Sequence, residues 1–500
     1  EDSEGDFDGN ANPDETTNLL LPLHNVEGWV NAQNVMGTLS SSTADVSIID
    51  GTVNYGSINA GDSALEENDV YTIAISEDIP LGIITLQLTI TAISNGYAYD
   101  QQREFELEIS FNQSGFPVST NEIKASPLVI DLDDDGDKEI IFGDNNGFVH
   151  VYNADGSEVV DDTFPFDTGN QIWGSAAAAD MDNDGKMDFV ITSKSKHLYI
   201  FDKDGLKTDY NANKYLMGTP AIGNLDDDAD LEVVIGGYSS PASSNQIFAV
   251  NADGTDVDGF PLTLGEKVKA GLALADFNGN GKDDIIVGTD DDNLHLIYDD
   301  GTTADGFPHT TGDKIQAAPS VHDIDGEKVI FTGSNDDNFY AINSDGSLRF
   351  SVQTGDKVLS SPSFLEYDGE TYIFFGSNDD HIYAVDSDGN SISGWPLEVN
   401  GTIGGSVVFS DLDNDGEPEV IASTDMGDIV ALTLSGHLFN NYYPIVNDFP
   451  FSGSPMTTDL DEDGDLEIVT GSGSNLFVID AKTEGDNFNY WSMYRGNPQR

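Results

Sequence analysis

The stretch DLDDDGDKE, residues 131–139, decides how this chain is read, because its pattern D-x-D-x-D-G-x-x-D/E returns every 43 to 52 residues as far as Glu467. Full or nearly full copies begin at Asp180 (DMDNDGKMD), Asn224 (NLDDDADLE), Asp276 (DFNGNGKDD), Asp411 (DLDNDGEPE) and Asp459 (DLDEDGDLE). Two eroded copies, Asp323-Ile324-Asp325-Gly326 and Glu366-Tyr367-Asp368-Gly369, fall where the period demands them and bring the count to eight units.

The spacing suits a hard divalent cation, which takes six to eight oxygens at roughly 2.3–2.6 Å. Side chains at positions 1, 3 and 5 can converge on one centre. Gly at position 6 permits a turn with positive φ, which turns the position-7 carbonyl inward and returns the position-9 carboxylate. The candidate Ca2+ ligands are therefore Asp131, Asp133, Asp135, Asp137 and Glu139; Asp180, Asp182, Asp184, Lys186 and Asp188; and Asn224, Asp226, Asp228, Asp230 and Glu232. Further along they are Asp276, Asn278, Asn280, Lys282 and Asp284; Asp411, Asp413, Asp415, Glu417 and Glu419; and Asp459, Asp461, Asp463, Asp465 and Glu467. An EF-hand would need a Glu at position 12 between helices. Here position 12 is Phe142, Ile191, Ile235, Val287, Ala422 or Thr470, within runs such as EIIFG and EVVIG of buried-strand type. The ligand set must close within nine residues, on a strand. Bare acidic turns would leave the common register and the Gly placement unexplained, so about six structural calcium ions are the expectation. Calcium bridging to a ligand is the alternative, for which intact loops leave little coordination free.

Each unit continues with a turn, a second strand ending in Asn/Asp-x-Asp-Gly (FVHVYNADG, IFAVNADG, IYAVDSDG) and often a Gly-Phe/Trp-Pro segment. Asp-Gly is a hairpin signal. With the strand that enters the loop, a unit supplies four short strands, and four strands at a period of roughly 40–50 residues mark a β-propeller blade.

In these residues the chain resembles the FG-GAP/VCBS-type calcium-loop propellers of integrin α-subunit heads and of secreted bacterial proteins, over about residues 113–500. The resemblance implies an all-β protein with eight blades, seven being the alternative if an eroded unit is absorbed. Asn224 and Ala229 depart from the loop pattern, Asn278 and Asn280 lower the charge of the fourth loop, and units five and six resemble quinoprotein-like repeats instead. The quinone chemistry of those enzymes often relies on a vicinal cysteine pair, and this chain has no Cys. GFPVST at 115–120 matches the segment that ends a blade elsewhere (GFPLTL, GWPLEV), so it is expected to supply the outer strand of the last blade.

Residues 1–112 alternate apolar and polar residues in runs such as ADVSIID, DVYTIAIS and ITLQLTITAI, which read as an immunoglobulin-like β-sandwich. Asp6, Asp8, Asn10, Asn12 and Glu15 either hold a further Ca2+ or form a polar leader. Asn112 to Gly115 is a short linker.

The 91 acidic and 19 basic residues give a formal charge of −72, which six divalent ions would change only to −72 + 12 = −60. Such a chain repels nucleic acid and anionic membranes. Without cysteine, metal and ring closure must act as staples, and no apolar run reaches transmembrane length. H-E-x-x-H, G-x-S-x-G, Walker and G-x-G-x-x-G motifs are absent. Trp395 replaces the Phe of a G-F-P segment and is expected to pack between strands; Trp173 stays open. The chain starts at Glu1 without a signal peptide and is expected to be a piece of a longer exported protein. The expected function is a non-catalytic extracellular adhesion or recognition module for a protein or polysaccharide at the cell surface. The alternatives are a lyase-type polysaccharide enzyme and the non-catalytic tail of a secreted protease.

Overall fold

A computed structural model describes residues 9–487 and 490–499, together with the backbone of 2–4. Asp6 and Asp8 lie outside the described residues. The chain divides into two units, Glu1–Ser114 and Gly115–Arg500. Among the described residues there is no α-helix, and no helix long and apolar enough to cross a membrane.

The first unit has two antiparallel four-stranded sheets around one core, with a short pairing of Leu23–His24 and Ser63–Ala64 besides. Strands Asp2–Glu4, Thr16–Leu19, Tyr71–Ile75 and Val46–Asp50 lie side by side in one sheet; Tyr97–Ile109, Gly82–Ser94, Ala32–Ser41 and Thr52–Ile58 form the other. Alternation explains the packing: Leu86 and Leu88 face inward against Tyr71, Ile73 and Val46, while the residues between them face out. Sequence patterning missed strands 32–41 and 52–58, whose polar residues dilute the alternation. Gly51 separates the last two edge strands, and its carbonyl accepts the Leu39 N–H at 2.8 Å, so one bent segment serves both sheets. Near the N-terminus Glu15 accepts the Asn12 N–H at 3.0 Å, and Asn10 donates to the Asn112 carbonyl at 2.7 Å.

The second unit is a β-propeller of eight four-stranded antiparallel sheets. The first uses Leu128–Ile130, Glu139–Gly143, Phe148–Asn153 and Phe166–Asp167 in chain order, and the next six repeat that order. The eighth is composite: Val118–Ser119 pairs with Asn475–Glu484, followed by Asp465–Gly471 and Met456–Thr458, with Val118 opposite Leu476. The second strand of every sheet is buried on both faces, which is why EIIFG or EVIAS reads as a continuous apolar run. Each fully buried Ile, Val or Phe contributes about 1.5–3 kcal/mol.

Adjacent sheets share their cores, and the seam between first and last is packed like the others. Phe142 and Ile140 of the first sheet meet Val469 and Val478 of the eighth. A relay of buried hydroxyls crosses this seam: Ser406 N–H donates to Ser454 Oγ, Ser454 N–H to Ser126 Oγ, Ser126 N–H to Ser175 Oγ, and Ser175 N–H to Thr219 Oγ1, at 2.5–2.9 Å. A Cβ on Gly143 would lie 2.2 Å from Ile172, and one on Gly471 would lie 2.4 Å from Ile123, so the same close approach recurs at the closure.

The inner strands leave edge N–H groups that need acceptors. The C-terminal segment provides them: the carbonyls of Trp491, Ser492, Pro498 and Gln499 accept from Phe409, Thr457, Ala178 and Ile222 at 2.8–3.1 Å. Buried Arg495 donates to the Pro319 carbonyl at 3.2 Å.

Candidate metal centre: the acidic loops

Each nine-residue loop joins the innermost strand of a sheet to the second. Position 9 therefore falls within the second strand, and its carboxylate is forced inward with that strand: Glu139, Asp188, Glu232, Asp284, Glu419 and Glu467 are all buried. Each accepts the N–H of its own position 2. Leu132, Met181, Leu225, Phe277 and Leu412 donate at 2.6–3.2 Å, and Leu460 donates to Glu467 in the same way.

Position 1 holds the turn from the other side. Asp131, Asp180, Asp276 and Asp411 each accept the N–H groups of positions 5 and 6 at 2.8–3.2 Å. Position 5 accepts from position 7, as Asp415 does from the Glu417 N–H at 2.8 Å. Gly at position 6 has φ of 86–103° in the loops of sheets 1, 2, 4, 7 and 8. The loops also need left-handed backbone at position 4, where Asp134, Asn183, Asn414 and Glu462 have φ of 54–65°. Only in the fourth loop does a glycine mark the position, Gly279 with φ of 76°, so most copies hid this second requirement. The third loop, with Ala229 at position 6, has neither left-handed residue.

The geometry brings together Asp131, Asp133 and Glu139; Asp180, Asp182 and Asp184; Asp226, Asp228 and Glu232; Asp411, Asp413 and Glu419; and Asp459, Asp461 and Glu467, with carboxylate oxygens within 4.8 Å of one another in each group. Asp135, Asp415 and Asp463 stand beside these groups and bond to the position-7 N–H. At position 7 four side chains point elsewhere: Lys186 pairs with Asp204 at 2.9 Å and Lys282 with Asp227 at 2.8 Å, while Asp137 and Asp230 are exposed; Asp465 of the eighth loop is instead buried. Asn224 turns its amide to the Asp228 carbonyl at 3.1 Å. In the fourth loop the amides of Asn278 and Asn280 donate to Asp299, a residue at the end of the third strand that the loop motif does not contain.

These carboxylates fit a cation. Buried oxygens of Asp182, Asn224, Glu232, Asp459, Asp465 and Glu467 have no hydrogen-bond partner, and an unpartnered buried carboxylate oxygen is costly. Burial pushes Glu139 and Glu232 up to about 7 and Glu419 up to about 8, and neighbouring loop carboxylates add to the rise. Burial likewise pushes Asp284 to about 6 and raises Asp465 and Glu467, which also repel Asp480. A bound divalent ion inverts this penalty.

The second loop already contains a positive charge. Lys207, on the outer strand Gly205–Asn211 of the same sheet, places Nζ 3.0 Å from Asp182 and 2.8 Å from Asp188. Burial by itself would lower the Lys207 pKa; its two carboxylates overcome that and raise it. Asp188 stays raised by burial, with Lys207 opposing the rise. No loop motif could show this, because Lys207 lies 19 residues beyond Asp188 in the chain.

In the eroded units the loops have become two-residue turns. Asp325 and Gly326 have φ of 57° and 83°, and Asp368 and Gly369 have 52° and 82°, the signature of type I′ hairpins that close without a cation. Trp395 packs at 5.1 Å from Phe374 and donates to the Leu434 carbonyl at 2.8 Å, in keeping with its place in the repeat. Trp173 lies beneath the ammoniums of Lys194 (4.0 Å) and Lys124 (5.4 Å).

Fold and site together define a β-propeller whose inner turns are acidic loops. Residues 131–191, which hold the first two loops, match the FG-GAP-like repeat. No curated protein matches the chain by sequence. Among solved structures it is similar to the V. cholerae biofilm matrix protein Bap1, with 13% identity, a TM-score of 0.56, and 77% of this chain and 94% of that one covered. It is also similar to Saccharomyces cerevisiae Sqt1, with 12% identity, a TM-score of 0.54, and 74% and 99% covered. At such identities the likeness concerns the fold.

Proposed function

We propose that this chain is a calcium-stabilised, non-catalytic extracellular recognition module, built from an eight-bladed FG-GAP propeller and an immunoglobulin-like sandwich. The observation that carries the calcium reading is the repetition, in one register, of a buried position-9 carboxylate facing further loop carboxylates; oxygens are left unpartnered in the third and eighth of these loops. The loops of sheets 1, 3, 4, 7 and 8 are the calcium sites, and Lys207 takes the cation's place in the second. The sandwich reading rests on two antiparallel sheets whose inner strand neighbours follow the immunoglobulin order, although edge strands 46–50 and 52–58 follow one another in swapped order.

An extracellular setting is supported by the acidic surface, by the reliance on metal and closure in a chain without cysteine, and by the fold shared with a biofilm matrix protein. The evenness of the repeats, without long insertions over the ring, favours binding over catalysis. Elemental analysis after dialysis tests the metal, with about five Ca2+ per chain expected and fewer than four ruling the reading out. A panel of glycans and surface proteins, assayed for binding and for released unsaturated sugar, tests recognition against the lyase alternative.

A further inference from the structure

The lysines of this acidic chain are not spread evenly. Several stand in the turns after the second strand or in the segments leading to the inner strands, at the end of the propeller opposite the acidic loops; Lys124, Lys194, Lys314 and Lys357 are examples. Three of them, Lys196, Lys214 and Lys267, converge with Tyr215 and Tyr238 on a cleft of about 390 Å3 between the second and third sheets, edged by Asn213.

Four observations set this cleft apart. Among the described residues no carboxylate lies within ion-pair distance of Lys196, Lys214 or Lys267, in a chain with 91 acidic residues. Of the acids nearest in sequence and space, Glu266 is engaged elsewhere, bonding to Thr289, Asn293 and His295 at 2.6–3.0 Å, and Asp290, at the edge of the cleft, is held by Tyr238 OH at 3.0 Å and Gln316 at 2.6 Å. Lys196 has φ of 81° at a turn position where other sheets place Gly147, Asp292, Asp337, Asp380 or Gly427, and left-handed backbone is disfavoured for a side chain of this kind. Strained residues held against local preference cluster at functional sites. Finally, the aromatic rings are fixed and carry charge: Lys196 lies 5.6 Å from the Tyr215 ring and Lys267 5.1 Å from the Tyr238 ring, while the Tyr238 N–H donates to the Tyr215 carbonyl at 2.8 Å.

We propose that this cleft binds an anionic sugar unit, carboxylated or sulfated, of an acidic polysaccharide. The ammoniums meet the anionic group, a half-exposed tyrosine face meets the apolar face of the sugar ring, and Asn213 with the cleft serines serves its hydroxyls. The overall negative charge does not forbid this, because at physiological salt exposed charges more than about 8 Å away are largely screened. The inference rests on the recognition reading and narrows it to one face and one ligand class.

The test uses the full chain in calcium and three immobilised polymers: hyaluronate for the carboxylate, dextran sulfate for the sulfate, and unmodified dextran. Retention by one or both anionic polymers and none by dextran is expected. The double variant Lys214→Gln, Lys267→Gln should lose that binding at least tenfold, with melting temperature and calcium content unchanged. Tyr215→Ala should weaken binding while leaving charge intact. Undiminished binding by the double variant, equal retention by dextran, or no retention by either anionic polymer overturns the proposal. A neutral glycan or a protein bound with the cleft variants silent would leave the recognition reading standing and remove only this site; a wholly negative panel removes both.

Discussion

Lys207 Nζ lies 2.8 Å from Asp188 Oδ1, so the buried position-9 carboxylate of the second loop has an ammonium for its partner. Removing one member of a buried pair costs roughly 3 kcal/mol or more. Lys207→Met should therefore destabilise the propeller in EDTA, and calcium should restore most of the loss by entering the vacated loop. Wild-type chain should show no calcium response at this loop. Lys186→Met, whose exposed partner is Asp204, should leave the melt nearly unchanged. Thermal melts of the three proteins with and without calcium decide it; equal losses for the two variants would show that Lys207 has no special place.

Chelation should lower the melting temperature of the intact chain. With a Kd near 10⁻⁴ M, the weak end of calcium modules, about 10 mM calcium stabilises each site by roughly 2.7 kcal/mol. Glu419→Gln, at a buried ligand, should forfeit about that amount in calcium, whereas Asp137→Asn, at an exposed position 7, should be nearly silent. Titration calorimetry would register one site fewer in the first variant only.

The outer strand of the eighth sheet comes from the start of the propeller. Deleting residues 1–112 should leave a folded, soluble ring, while deleting 1–120 removes Val118–Ser119 and bares the strand at Leu476. Loss of solubility or a markedly lower melt is expected for the longer deletion alone. Identical behaviour of the two truncations would deny the strand its role.

His150 is bracketed by Glu158 at 2.6 Å and Asp144 at 3.4 Å. Burial opposes its protonation, but the two carboxylates outweigh burial and raise its pKa. A raised histidine contributes stability that is full below its unfolded pKa of about 6.5 and is lost as pH rises through the folded value. The stability difference between wild type and His150→Gln should accordingly shrink as pH rises from 6 towards 9. A difference independent of pH would mean that the imidazole is held for its shape.

How far the sequence could be read depends on where the information lies. The loops announced themselves because ligand spacing is local: nine residues fix which carboxylates can meet, and β-branched runs after position 9 placed them on strands. Val118 opposite Leu476 was legible through repetition, since GFPVST copies segments that end other units. Contacts between distant residues were not. Lys207 looks like any surface lysine until the outer strand folds back over Asp182 and Asp188, and Asp299 joins the fourth loop only through sheet register. Left-handed Asp134 and Glu462 carry no glycine to betray them. In the first unit, polar residues in AQNVMGTLSS blurred a strand whose Val35 and Leu39 are nonetheless core.

The pairing of Val118–Ser119 with Asn475–Leu476 has a mechanical meaning. These two residues follow closely on the linker from the first unit, so a pull transmitted through residues 112–115 loads the seam between the first and eighth sheets, where Gly115 abuts Asp155 and Phe116 is buried. Two ladder pairs, the bonds of the Thr120 and Ile123 N–H groups to the Ser474 and Ser472 carbonyls, and the buried Phe116 ring resist it, whereas the neighbouring pair of strands, Asp465–Gly471 with Asn475–Glu484, is far longer. Under tension the molecule has a chosen point of yielding, at which the clasp peels away while the acidic loops on the inner strands keep the remaining sheets in register.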